Sequence, residues 1–283
     1  TAFFAPFFML FFGFCTGDFG YGLTILIATS IAKLKIKDES IRGFLTLGQF
    51  LGTGTIIMGL AMGSIFGFDM KEWAGVGKFF PIRNNDMVFN FALLLGVIQV
   101  LFGVIMNFVN KVRNGRFIDG VSTIGTFFFI LFVTILASPV MEAKPDPQLL
   151  VISKYGLYVS LFLIFFFNAP GKNVFLNFAK GFWEMYNIVT GFFGDLLSYI
   201  RLFALGVSGG ILGYVVNTMA MQFKAIPVVG FIVMILVMIV GHSANLALSS
   251  LGAFVHPMRL TFVEFYKNSG FVGGGKEYKP FGK

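Results

Sequence analysis

For a chain of 283 residues there is little charge: Asp, Glu, Lys and Arg together make up 12%, where soluble domains carry about 25%. A water-facing surface over most of the molecule is thereby excluded. Cys15 is the one cysteine, so neither an internal disulfide nor a multi-cysteine zinc site can form. There are two histidines and no His-Glu-x-x-His pair, and no glycine-lysine phosphate loop. No metal, cofactor or nucleotide-hydrolysing site is expected on this chain. The formal charge of +8 could suggest a nucleic-acid partner, but the basic residues are spread over short loops instead of gathered in a patch. Internal repeats are also missing.

What is present is hydrophobic length. Hydrophobic residues make up 57% of the sequence, with 40 phenylalanines that fill space at low rotamer cost. Several runs approach the ~20 apolar residues that span a bilayer. The pattern predicts an all-α polytopic membrane protein of eight transmembrane helices, at about 2–15, 19–33, 43–66, 87–108, 120–138, 151–167, 182–222 and 228–266. Gly17-Asp-Phe-Gly-Tyr-Gly22 permits the reversal between the first two, and Asp18 there either caps the second helix or lines an aqueous vestibule. Gly48, Gly52, Gly59, Gly63 and Gly67, at spacings of four and seven, read as a ridge for close helix approach. The last two helices are overlong: as continuous helix, 182–222 measures about 60 Å against a ~30 Å hydrocarbon core, and steep tilt is expected. Pro257 should kink the eighth.

Most of the 21 basic residues fall on loops after the second, fourth and sixth helices and in the tail. By the positive-inside rule both termini are cytoplasmic. The apolar start at Thr1 suggests that a longer chain precedes it, and three parts are expected: a six-helix scaffold over 1–181, two long helices over 182–267, and a cytoplasmic tail over 268–283.

Arg201 lies inside an apolar run. Its guanidinium stays charged at any physiological pH, and such a charge within a span is a candidate functional group. Glu184, Asn187, Gly191, Gly194, Ser198, Arg201, Leu205 and Ser208 recur at helical spacing and share one face, as do His242, Asn245, Ser249, Gly252, His256 and Arg259. Hydrogen bonding between two such stripes is ordinary helix glue; two arginines on the same device point beyond glue, since desolvating fixed cations merely for packing is a poor use of stability. Asp18, Glu184, Asp195, Ser198, His242, Asn245, Ser249, His256 and Glu264 are candidate path-lining groups, each with local capping or interhelical bonding as the competing role.

Leu197-Ser-Tyr-Ile-Arg-Leu-Phe-Ala-Leu205, Asn245-Leu-Ala-Leu-Ser-Ser-Leu-Gly-Ala-Phe-Val-His-Pro-Met-Arg-Leu260, Val263-Glu-Phe-Tyr266 and Gly273-Gly-Gly-Lys-Glu-Tyr-Lys-Pro-Phe281 resemble the membrane domain of the stator subunit of V-type and bacterial or archaeal A/V-type rotary ATPases, subunit a or subunit I. Pro6-Phe-Phe and the Gly17–Gly22 motif match as well. The resemblance implies a stator subunit providing half-channels for H+ or Na+ against a rotor ring of small carboxylate-bearing subunits. It also implies an N-terminal cytoplasmic domain, absent here, on peripheral stalks, and a place in a bacterial or archaeal plasma membrane. By position Arg201 matches the family's essential arginine and Arg259 its second one. Eukaryotic relatives carry a histidine where this chain has Gly209 and an acid where it has Ser249; the bacterial pattern fits better. The alternative, a secondary transporter with a central anionic-substrate site, calls for repeats and helices broken in corresponding halves, and the sequence has no repeat.

Overall fold

The computed structural model describes residues 5–70, 80, 82, 84–115, 117–138, 146–166, 174–226 and 229–270. The expected loop at 71–79, the turn at 139–145, the break at 167–173 and the tail from 271 lie outside them. Helices dominate: α1 (Ala5–Thr16), α2 (Phe19–Lys35), α3 (Glu39–Met62), α4 (Asn85–Arg113), α5 (Phe117–Ala137), α6 (Pro147–Phe166), α7 (Val174–Gln222), α8 (Val229–Arg259) and a last turn, α9 (Tyr266–Asn268). Among the described residues six helices are long and apolar enough to cross a membrane, within Glu39–Met62, Asn85–Arg113, Gly120–Ala137, Pro147–Phe166, Phe178–Gln222 and Val229–Asn268. Ile232, Ile239, Leu248 and Leu251 on α8 are each more than 60% exposed, an apolar surface that suits lipid or a protein partner.

Helix boundaries moved where local chemistry outweighs hydropathy. Helix α3 starts four residues before the expected position because the Asp38 carboxylate accepts from Ser40 N at 3.1 Å and caps it. It stops at Met62 because Gly63 takes the left-handed conformation (φ 70°). Gly63 and Gly67 therefore belong to a turn and not to the expected ridge. Helix α6 starts at Pro147, whose missing N–H costs nothing in a first turn. At Pro257 the helix continues through the proline, and the disturbance appears one turn later as a π-helical segment, Leu260–Phe265. Thr261 Oγ1 donates to the Pro257 carbonyl at 2.9 Å, where that segment begins.

Two compact units result. The first comprises Thr1–Gly96 and Gly194–Thr261. In it α2 runs antiparallel to α3 at backbone contact: a Cβ on Gly59 would strike Phe19 N, one on Gly22 would meet Ile56 N at 2.7 Å, and one on Gly52 would meet Leu26 N at 3.1 Å. Helix α1 crosses α3 at Gly13 and Gly54, whose backbones touch, and sets Phe8 edge-on against Phe254 of α8, centroids 5.8 Å apart. Antiparallel strands β1 (Ser64–Ile65) and β2 (Phe68–Asp69) close a hairpin around Phe66-Gly67. Both turn residues have positive φ (48° and 74°), the two-residue geometry whose twist matches its strands.

The second unit comprises Val97–Phe193 and Phe262–Lys283. Here α5 and α6 pack through glycine: a Cβ on Gly125 would meet Leu163 Cβ at 3.0 Å, and one on Gly156 would strike the Phe132 ring. Phe165 of α6 stacks on Phe178 at the start of α7, centroids 5.3 Å apart, and Phe102 of α4 stacks on Phe265 at 6.0 Å.

Gly59→Leu should separate α2 from α3, because the obstacle is Phe19 backbone that no rotamer change can move. A loss of about 2 kcal/mol or more is expected, as for an overpacked interior, and read as a lower thermal midpoint of the purified protein.

Candidate functional site

Helices α7 and α8 form an antiparallel pair. Asn217 faces His242, Gly209 faces Ser249, and Leu205 faces Gly252. Small residues let the pair approach: a Cβ on Gly209 would sit 3.2 Å from Ser249 Oγ, and one on Gly252 3.6 Å from Leu205 Cδ2. At one end of this seam stand the two arginines. Arg201 is half-buried, between the fully buried Tyr199 and Leu202, and Arg259 is exposed at the end of α8. The His256 imidazole lies close enough to feel both guanidinium charges, and its Nδ1 is buried without a hydrogen-bond partner. Among the described residues neither guanidinium makes a hydrogen bond or an ion pair. The arrangement offers two cations and one unsatisfied nitrogen to an anion arriving from outside.

Farther along the seam the polar groups bond one another. His242 Nε2 lies 2.9 Å from Asn217 Oδ1, and His242 Nδ1 lies 2.8 Å from the Tyr21 hydroxyl. Asn245 Nδ2 donates to Tyr21 Oη at 2.9 Å and to the Gly209 carbonyl at 3.0 Å, while Ser249 Oγ donates to Asn245 Oδ1 at 3.1 Å. Asn217 Nδ2 donates to the Phe66 carbonyl at 2.7 Å, which brings the hairpin into the cluster.

Asp18 holds that hairpin. It is 2% exposed and accepts four hydrogen bonds: Tyr21 N at 3.1 Å, Phe66 N at 2.8 Å, Gly67 N at 2.9 Å and Ser64 Oγ at 2.8 Å. The capping role weighed in the sequence is therefore present, and the same carboxylate ties down a loop some fifty residues away. Beside it a cavity of about 390 Å³ is lined in part by Asp69, Asn85, Gly206, Gly210 and Tyr214.

The remaining candidates are dispersed. Asp195 is buried at 5% exposure and engaged by neighbours, and Ser198 Oγ turns back to its own helix, donating to Gly194 O at 3.2 Å. Glu184 and Glu264 lie in the second unit; Glu264 is 4% exposed on the π-helical segment, with Oε2 lacking a partner. Tyr21, Phe66 and Asn217 were not singled out in the sequence. Asn217 was within reach, since Arg201, Leu205, Gly209, Gly213 and Asn217 recur every four residues, and that row, not one ending at Ser208, meets α8.

These features define a helical membrane protein with a charged seam between its last two long helices. No family model matches the chain. Its curated homologues are named subunit I of A-type or V-type ATP synthases. It is 30% identical to the A-type ATP synthase subunit I of Methanocaldococcus jannaschii, over 99% of this chain and 44% of that protein. With the V-type ATP synthase subunit I of Borreliella burgdorferi identity is 28%, over 99% and 48%. With the A-type subunit I of Archaeoglobus fulgidus it is 26%, over 100% and 49%. The chain thus spans about half the length of these relatives, and the resemblance read from its motifs extends over nearly all of it.

Asp18→Asn should destabilise the first unit almost as much as Asp18→Ala, because one amide face would present N–H to donors. Losing charged acceptors for buried donors costs about 2–4 kcal/mol, checked by thermal unfolding of both variants beside the unsubstituted protein.

Proposed function

We propose that this chain is the membrane part of the stator subunit of an A/V-type rotary ATP synthase or ATPase, with Arg201 as its ion-transfer centre and Arg259 tuning a path beside it. The observation that carries the reading is the pair of guanidiniums left without an anion among the described residues on the seam where α7 and α8 meet. A cation kept in an apolar span without a counter-charge is costly unless an external partner or water meets it. The names of the homologues point to assembly within an ATP synthase; the partner in this reading is a ring of small membrane subunits bearing an ion-binding carboxylate.

In this reading eight helices cross the membrane, with α1 and α2 as short first members. Residues 1–181 are the scaffold, 182–267 the transfer face and 268–283 a cytoplasmic tail. Helix α7 has 49 residues, about 70 Å of helix, so it lies obliquely along the rotor. Both termini are cytoplasmic, and a preceding domain contacts peripheral stalks. A rotor carboxylate must be neutral to cross lipid; facing Arg201 it ionises, because a nearby opposite charge favours the anion. Water paths from the two sides, offset around Arg201, load and unload it, so ion flow requires rotation. Arg201 also repels cations from a straight leak. Asp195, Ser198 and His256 line or flank those paths, while nucleotide chemistry takes place on other chains.

Arg201→Lys replaces a delocalised fork by a strongly hydrated ammonium. The assembled complex is expected to lose coupled transport; full ATP-driven pumping in vesicles by this variant would remove Arg201 from the mechanism. Arg259, exposed and one helix end away, tunes a path instead of making the transfer. Arg259→Ala should therefore slow ion flux per ATP hydrolysed while leaving more of it than Arg201→Ala does, and equal inactivity at matched assembly would place both in one centre.

A further inference from the structure

The bonds around Tyr21 have a direction, and two backbone carbonyls force it. A carbonyl oxygen can only accept. The Asn217 amide atom facing Phe66 O must therefore be nitrogen, which leaves Oδ1 for His242, so His242 Nε2 carries a proton. Independently, the Asn245 atom facing Gly209 O must be nitrogen, and the same nitrogen donates to Tyr21 Oη. The hydroxyl proton of Tyr21 then has one place to go, the lone pair of His242 Nδ1 at 2.8 Å. Both ends agree on a single pattern: Ser249 to Asn245 to Tyr21 to His242 to Asn217 to the Phe66 carbonyl. A doubly protonated imidazole would break it, since Tyr21 would receive two donors and its own proton would lose its acceptor.

We propose that Tyr21 and Asn217 are positioning residues for ion transfer: with His242 as a neutral, Nε2-protonated link, they lock the rotation and register of α8 against α7 and so set where His256 and Arg259 stand relative to Arg201. His242 holds its proton in this arrangement and does not pass it on. The aromatic surroundings fix the ring as well, with Phe66 edge-on to both Tyr21 (5.5 Å) and His242 (5.7 Å). The site reached through the lock rests on the function proposed above; the direction of the chain does not.

The test uses the complete rotary complex in vesicles. Tyr21→Phe removes one hydroxyl and keeps the ring. It is expected to assemble, to move fewer ions per ATP hydrolysed, and to slow disulfide formation between Leu205→Cys and Gly252→Cys by about threefold or more, the population shift that one net hydrogen bond controls. The side-chain 15N spectrum of the unsubstituted complex, assigned against His242→Gln, should show a neutral imidazole protonated at Nε2. A proton on Nδ1, or on both nitrogens, overturns the chain. Wild-type coupling and disulfide rate in Tyr21→Phe overturn the positioning role. Should Tyr21→Phe fail to assemble, Asn217→Asp carries the same test, because it keeps the shape but turns an oxygen toward Phe66 O; wild-type coupling there overturns the role equally. Full transport by Arg201→Ala would defeat the ion-transfer reading alone, leaving the spectrum and the disulfide rate to judge the lock.

Discussion

A buried carboxylate in apolar surroundings is stable only if hydrogen bonds replace the water it gave up, and Asp18 gathers four. Two of the donors are the backbone amides of Phe66 and Gly67, the turn of the short hairpin. Phe66 has φ 48°, a conformation an aromatic residue adopts only under constraint, and the carboxylate is that constraint. Held there, Phe66 gives its carbonyl to Asn217 and its ring to Tyr21 and His242. Capping of α2, the hairpin and the α7–α8 seam thus share one anchor.

The seam itself divides by chemistry. Along 209–217 of α7 and 242–249 of α8 the polar groups satisfy one another, as polar groups in a low-dielectric bundle must. Toward Arg201, His256 and Arg259 they do not. A helix pair that wasted no polar group would leave nothing for a partner, and one that satisfied none would not hold together. Both requirements are met on the same two helices, at different heights.

How much of this could be read beforehand follows from what each signal encodes. A close approach along α3 was legible because glycine spacing reports backbone proximity directly, though not its partner; Gly48, Gly52 and Gly59 all face α2. The ends of α3 were not, since hydropathy is blind to the Asp38 cap and to left-handed Gly63. Of the site, the stripe carrying Arg201 and the one carrying His242, Asn245 and Ser249 followed from helical spacing, but beyond Leu205 the residues of α7 that meet the second stripe are Gly209 and Asn217, not Ser208. Tyr21 and Phe66 did not follow, because a hydroxyl and a carbonyl contributed from the first turn of α2 and the hairpin have no periodicity to betray them; only the long-range packing of α1–α3 delivers them to α8. Asp18 was seen as a cap, but its grip on residues 64–67 depends on a loop closure that no local pattern records.

Gly67 and Gly213 meet backbone to backbone, with the Cα of one 2.9 Å from where a Cβ of the other would stand, and a Cβ on Gly206 would lie 2.7 Å from the Phe14 carbonyl. Contacts of this kind have no rotamers to yield. A sideways load on α7 therefore passes into the hairpin and α1 without the slack that interleaved side chains would take up. Helix α7 is braced like a strut at two points, about one and about three turns beyond Arg201, so force applied at the arginine does little to displace it.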